Sequence, residues 1–228
     1  MVSKPSSVWV VIAAYNEDPV IADVVRDVVA SGFSVVVVDD GSQDDTANKA
    51  GLAGALIVQH PINLGQGAAL QTGIDYALGA AANILVTYDA DGQHRVEDVF
   101  RLVEALMLND VDYVLGSRFI GKSQGMPLSR RLLLKTATWF TRLTTGLAIT
   151  DTHNGLRAMS QRGASCIRLR QNRMAHATEI LHQIASSRLN YIEIPVMVDY
   201  TVYSLAKGQR FGDAISILLD LLSRQLNR

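Results

Sequence analysis

A single cysteine, Cys166, stands in a chain of 228 residues. That excludes an intrachain disulfide and a thiolate metal cluster, and Cys166 reads as a small buried hydrophobe in a reducing cytoplasm. Charge of one sign is also missing. The formal net charge is −1, which gives nucleic acid no electrostatic footprint. No segment supplies the roughly 18 uninterrupted apolar residues of a membrane span, and the flanks of Val8–Ala14 do not suggest a signal peptide. The chain is therefore expected in the cytoplasm, either soluble or resting on the inner face of the cell membrane without crossing it. Repeats, low-complexity tracts and flexible linkers are absent too, so residues 1–228 read as one domain.

What is present is a globular composition, 48% apolar and 19% charged. Val8–Ala14 is a β-branched run that ends in Tyr15, Asn16 and Glu17, the pattern of a buried strand and its loop. The same rhythm predicts strands over 34–38, 55–59, 83–88 and 113–116. Helices are predicted over 20–31, 46–53, from about 66 to 82, and over Val96–Asn109. Alternation of this kind implies an α/β fold with a mostly parallel central sheet flanked by helices. The second half is less regular. It reads as a helix over Leu128–Thr145, a polar loop over 151–157, a helix over 174–187, a strand over 191–198 and an amphipathic helix over 211–226.

Four strands end in polar clusters, YNE, DDGS, DAD and GSR, on the edge where open α/β sheets bind ligands. Asp89 and Asp91 are two carboxylates one residue apart at a strand end. They can face one hard divalent cation, Mg2+ or Mn2+, which shares carboxylates with substrate phosphates. Gln93 adds an amide oxygen. Alone the triplet is weak, because aspartates also build turns. Asp39 and Asp40 follow four valines, and carboxylates beside a dry strand need partners. A nucleoside supplies N–H and O–H donors, and an Asx turn is the alternative reading, one for each aspartate. Gly65 and Gly67 open a helix either as a phosphate cradle or as a close-packing device.

In order along the chain, AAYNE, VDDGSQDDT, NLGQGAALQTG, YDADGQ, GSR and DTHNGLRA resemble family 2 glycosyltransferases over roughly residues 8–160. The branch they resemble is that of the dolichyl-phosphate mannose and polyprenyl-phosphate sugar synthases. The resemblance implies the GT-A fold, a nucleotide-sugar donor, a divalent cation and inversion at the anomeric carbon. By position it places Ala14, Tyr15, Glu17 and Asp39 or Asp40 at the nucleoside, with Gly65, Gly67 and Ala90 beside it. It makes Asp89 and Asp91 the ribose and metal carboxylates with Gln93 as a further ligand. Arg118 then faces the phosphates or the acceptor, and Asn154, Gly155 and Arg157 lie in an acceptor-side loop. Residues 1 to about 120 would hold the donor and the remainder the acceptor. The chain departs from the pattern at Ala13, where proline is common, and in the region from Tyr200 through Tyr203 to Gln209, where a tyrosine stands for an expected arginine. Lys207 is shifted from its usual place.

The acceptor decides the mechanism. A sugar hydroxyl needs a general base, whereas a lipid phosphate is already an anionic nucleophile. Glu179 is the candidate base, with Asp151 behind it and Arg157 at the reacting end. His176 and His182 read as a surface pair, because their spacing does not suit a helix-borne zinc site. Arg130, Arg131, Lys135 and Lys207 suit acceptor phosphate or anionic headgroups. Trp139 and Phe140 beside them mark Leu128–Thr145, together with 211–226, for membrane contact. A second copy of the chain or a small membrane protein is the other partner to weigh. Two rival readings remain: a nucleotidyltransferase acting on a sugar phosphate, and a non-catalytic relative.

Overall fold

The computed structural model describes residues 7–124, 126, 128–171, 175–200 and 203. Seven strands and seven helices alternate among them. The elements are β1 (Val8–Ala14), α1 (Ile21–Ala30), β2 (Ser34–Asp39), α2 (Thr46–Leu52), β3 (Leu56–Gln59), α3 (Gln66–Gly79) and β4 (Ile84–Asp89). They continue with α4 (Val96–Asn109), β5 (Tyr113–Gln124), α5 (Leu128–Thr145), β6 (Arg157–Ser160), α6 (Gln161–Cys166), α7 (Ala175–Ser186) and β7 (Tyr191–Asp199). One sheet holds all seven strands in the order β3-β2-β1-β4-β6-β5-β7.

The valine runs form buried strands because both faces of the sheet are covered. Side chains alternate between the faces. Val10 and Ile12 of β1 and Val35 and Val37 of β2 join one core with α1 and α4. Val11 and Val36 point the other way, into a second core with α3, α6 and α7. Ile21, Val24, Val25 and Val28 of α1 are buried at helical spacing, which explains how a helix of ten residues holds its place.

One strand is reversed. β6 runs antiparallel between β4 and β5, with Thr87 opposite Arg157 and Leu115 opposite Arg157 on the other side. The 151–157 segment was expected to be loop throughout. Its last residue instead begins β6, which brings the loop over the end of β4. The expected fifth strand over 113–116 runs on to Gln124, its pairing with β7 shifting register after Ser117. Cys166 is exposed at the end of α6, not buried. Lys207 and the expected helix over 211–226 lie outside the described residues.

Gly73 of α3 meets β1 so closely that a Cβ there would overlap Val11 Cγ1. Gly73→Ala is expected to cost about 1–3 kcal/mol by overpacking, read as a lowered denaturation midpoint.

Candidate active site

Strand register builds the site. Ala14 pairs with Asp39 and Ala13 with Asp89, so the carboxyl ends of β2 and β4 flank the end of β1. A cleft of about 440 Å³ opens there between Tyr15, Glu17, Asp89, Asp91, Arg118 and Arg157, among others. A second hollow shares Tyr15 and Asn63 with it and extends along Asp39, Ser42, Gln59 and His60. Together they make one groove along the rim, within the size range of small-molecule sites.

Asp89 and Asp91 both line the cleft. Burial disfavours the charge on Asp89, but His94 holds it ionised, with Nε2 2.9 Å from Oδ2, and Arg118 and His176 reinforce that. Its carboxyl therefore stays below the usual range. Asp91 is pushed up to about 6 by burial and by the charge of Asp89. Its Oδ1 accepts from the backbone N–H of Gln93 at 3.1 Å. Gln93 lines the same cleft. Among the described residues, no group of three or more His, Cys, Asp or Glu side chains forms a complete metal cage. The residues nevertheless fit Mg2+ or Mn2+, which is held by one or two carboxylates and takes its other ligands from water and substrate phosphate.

The loop before β6 closes this end. Thr87 Oγ1 donates to Gly155 O at 2.6 Å, drawing the loop over β4. A Cβ at Gly155 would strike the carboxylate of Asp89. Only glycine leaves that carboxylate its place. Asn154 and Arg157 line the cleft and are buried. Asn154 Oδ1 caps the N–H of Leu156 at 2.9 Å. Arg157 donates to Thr152 O at 3.0 Å, and burial lowers its pKa. Arg118 donates through Nε to Asp151 Oδ2 at 2.6 Å and through Nη2 to His153 O at 2.7 Å. Burial opposes its charge, but Asp151 outweighs that and holds the pKa above its ordinary value.

At the end expected to take the nucleoside, Glu17 and Tyr15 line the cleft beside Ala14 and Ala90. The Tyr203 hydroxyl donates to Glu17 Oε2 at 2.7 Å. Asp39 and Asp40 divide their roles. Asp39 accepts from Ser42 and from Gln59 Nε2 and opens on the outer hollow. Asp40 accepts from His60 Nδ1 at 2.7 Å and from the N–H groups of Leu64 and Gly65 at 2.9 and 2.7 Å. Its carboxylate is committed to holding the glycine loop. Gly65, at φ 99°, lines the cleft. Gly67 does not: the Cβ it lacks would overlap the carbonyl of Gln171, so it serves close packing.

Neither expected base lines the cleft. Both oxygens of Glu179 accept from the backbone N–H of Arg170, at 3.1 and 3.0 Å, and Oε2 also from Gln171 at 2.9 Å. Glu179 pins a loop behind the cleft and does not line it. Asp151 is likewise buried against Arg118 outside the lining. Arg131 is exposed on α5, whereas Arg130 turns into the cleft. Sequence reasoning missed His94 and His153 and read His176 as a surface residue. His94, His153 and His176 all line the cleft, and burial keeps His153 neutral, its pKa down to about 4. His94 follows the DAD triplet by three residues, and that proximity was the available signal. His176 sits on the expected helix but faces inward, a matter of helix phase that its neighbours did not reveal.

A sheet with one reversed strand and an acidic groove at its carboxyl edge is the architecture of the GT-A class. The glycosyl transferase family 2 model matches residues 9–185, and the chain belongs to that family. A UDP-N-acetylglucosamine–dolichyl-phosphate N-acetylglucosaminyltransferase of Methanococcus voltae is 29% identical, over 97% of this chain and 97% of its own. A polyprenol monophosphomannose synthase of Mycolicibacterium smegmatis is 34% identical over 65% of this chain and 60% of its own. Among solved structures, Mycobacterium tuberculosis glucosyl-3-phosphoglycerate synthase with Mn2+, UDP-glucose and phosphoglyceric acid has a TM-score of 0.73. It is 20% identical and covers 96% of this chain and 80% of its own, a likeness of fold.

Gly155→Ala tests the closure of the loop on Asp89. The variant should fold, with circular dichroism unchanged, and lose at least tenfold in affinity for Mn2+ with UDP or GDP by calorimetry.

Proposed function

We propose that this chain is an inverting glycosyltransferase that moves a sugar from a UDP- or GDP-sugar to a polyprenyl phosphate in cell-envelope glycan synthesis. The observation that carries the proposal is the division of charge across one cleft. Asp89 and Asp91, read as the donor-side acids, line it together with Arg118, Arg130 and Arg157. The two carboxylates expected as bases are tied up outside it. An acceptor that brings its own negative charge needs the arginines and dispenses with the base. The names of the polyprenol and dolichyl-phosphate relatives support the same acceptor class.

The nucleoside lies along Tyr15, Glu17 and Asp39, and the diphosphate crosses toward Asp91. A phosphate oxygen of the acceptor attacks the anomeric carbon from the face opposite the diphosphate. The new carbon–oxygen bond forms as the bond to the diphosphate breaks, and the electron pair leaves with the nucleoside diphosphate. A divalent cation held by Asp89 and Asp91, with Gln93 beside them, would offset the charge that builds there. Arg157 and Arg118, fixed by backbone carbonyls and Asp151, hold the anionic acceptor for in-line approach without reorganising during the reaction.

The acceptor's lipid places α5 at a membrane. Among the described residues no helix is long and apolar enough to cross one. The amphipathicity of α5 is partly inverted: its fully buried residues are Thr138 and Thr141, while Leu133, Leu134, Ala137 and Phe140 are half-buried. Leu128, Leu132, Trp139 and Leu143 are 82, 70, 64 and 70% exposed, and Arg131, Lys135 and Arg142 flank them. An apolar stripe with a cationic border suits the surface of an anionic bilayer.

Two experiments test these readings. Asp91→Asn should abolish Mn2+-dependent binding of the nucleotide sugar, whereas Glu179→Gln should keep transfer to polyprenyl phosphate within about threefold. A loss in Glu179→Gln of the roughly 10²–10⁴ that general bases contribute would restore a hydroxyl acceptor. Separately, Trp139→Glu with Leu143→Glu should reduce co-flotation with phosphatidylglycerol vesicles several-fold at unchanged thermal midpoint. Equal flotation of variant and wild type would rule α5 out as the contact.

A further inference from the structure

Tyr200 stands where two cations of the cleft meet. Its hydroxyl accepts from Arg118 Nη1 at 2.9 Å. The guanidinium of Arg130 lies over its ring, 5.0 Å from the centroid. Both arginines line the cleft. Two guanidinium groups so placed repel each other, and in a site of low dielectric that repulsion is not screened away. A tyrosine can hold both at once, because its oxygen accepts a hydrogen bond while its ring face carries the negative end of the quadrupole.

Tyr200 is itself fixed from the metal side of the site. Asp199, its neighbour at the end of β7, donates its backbone N–H to Gln93 O at 3.0 Å. The Asp199 carboxylate accepts from Arg95 Nε at 2.7 Å. Residues directly after Asp91 therefore anchor the strand end that carries Tyr200. Tyr200 is partly buried and packs against the core on that face of the sheet. One connected path runs from the Asp91 loop through Asp199 and Tyr200 to Arg118 and Arg130. Arg118 has two other anchors, Asp151 and His153 O. For Arg130, at the first turn of α5, the Tyr200 ring is the contact found among the described residues.

We infer that Tyr200 is the positioning residue that pairs Arg118 with Arg130 as a receptor for the phosphate of the acceptor. The inference rests on the proposed function and names how the acceptor side of the same site is assembled. Tyr200 does not touch the reacting atoms. It acts through the two arginines, so its removal should weaken acceptor binding and leave the donor untouched.

The test uses the full chain with geranyl phosphate in detergent as acceptor probe and UDP or GDP with Mn2+ as donor probe, both by calorimetry. Tyr200→Phe keeps the ring and loses the hydroxyl. Tyr200→Leu loses both. The expected order of acceptor Kd is wild type, then Tyr200→Phe about threefold weaker, then Tyr200→Leu at least tenfold weaker, with donor Kd constant throughout. A merely structural role would move donor and acceptor together. Equal acceptor affinity in wild type and both variants overturns the inference while leaving the proposed function standing, as does a parallel loss of donor affinity. Absence of geranyl phosphate binding by the wild type overturns the acceptor class and this inference with it. Should Tyr200→Leu not fold, Tyr200→Phe decides alone: a threefold or larger selective loss supports the pairing, and wild-type affinity removes it.

Discussion

Like charge gathered at the dry end of a sheet is the constraint on which the rest of this molecule depends. The register that sets Ala13 beside Asp89 and Ala14 beside Asp39 brings acids to the ends of neighbouring buried strands. Carboxylates at such a place are costly unless neutralised. The protein neutralises them unequally. Asp89 receives His94 and stays ionised, whereas Asp91 is left to bear the field of Asp89 and is pushed up to about 6. A site in which one carboxylate is satisfied by protein and its neighbour is not is prepared for a cation that arrives with its own ligands.

Much of the remaining polar chemistry around the cleft is scaffold. Asp40 ties down the Leu64–Gly65 backbone, Glu179 the Arg170–Gln171 backbone, and Asp151 the guanidinium of Arg118. Glu193 does the same for the N–H groups of Thr150 and Asp151. Asp40, Glu179 and Glu193 are ionisable groups committed to orphan backbone donors in loops that no sheet ladder satisfies. The loops that carry function are held rigid by acids that resemble catalytic residues in sequence.

That resemblance explains which parts of the site were legible. Parallel strands buried on both faces announce themselves as valine runs, so β1, β2 and β4 were found within a residue of their ends. The DAD and YNE clusters were found because strand ends in such sheets face the ligand. β6 was missed because an antiparallel strand of four residues beginning at Arg157 has neither the length nor the apolar continuity of the others. Glu179 and Asp151 were misplaced for a different reason. A buried carboxylate that caps backbone amides and one that takes a proton have the same sequence signature, and only the direction of the side chain separates them. Helix phase hid His176 in the same way.

Inversion of α5 follows from where the arginines must be. Arg130 has to reach the cleft from the first turn of a helix, and Thr138 and Thr141 meet the domain farther along. Thr138 and Thr141 bond back to carbonyls one turn earlier, at 2.9 and 3.0 Å, so burying them leaves no orphan hydroxyl. With the threonines turned inward, Leu128, Leu132, Trp139 and Leu143 face out, while Leu133, Leu134 and Phe140 are half-buried. In water alone that arrangement wastes apolar burial on the solvent side. Under the proposed function the outer medium is a lipid surface, where the arrangement is no longer wasteful, and a helix resting there would deliver Arg130 to the point where a lipid-borne phosphate enters the cleft.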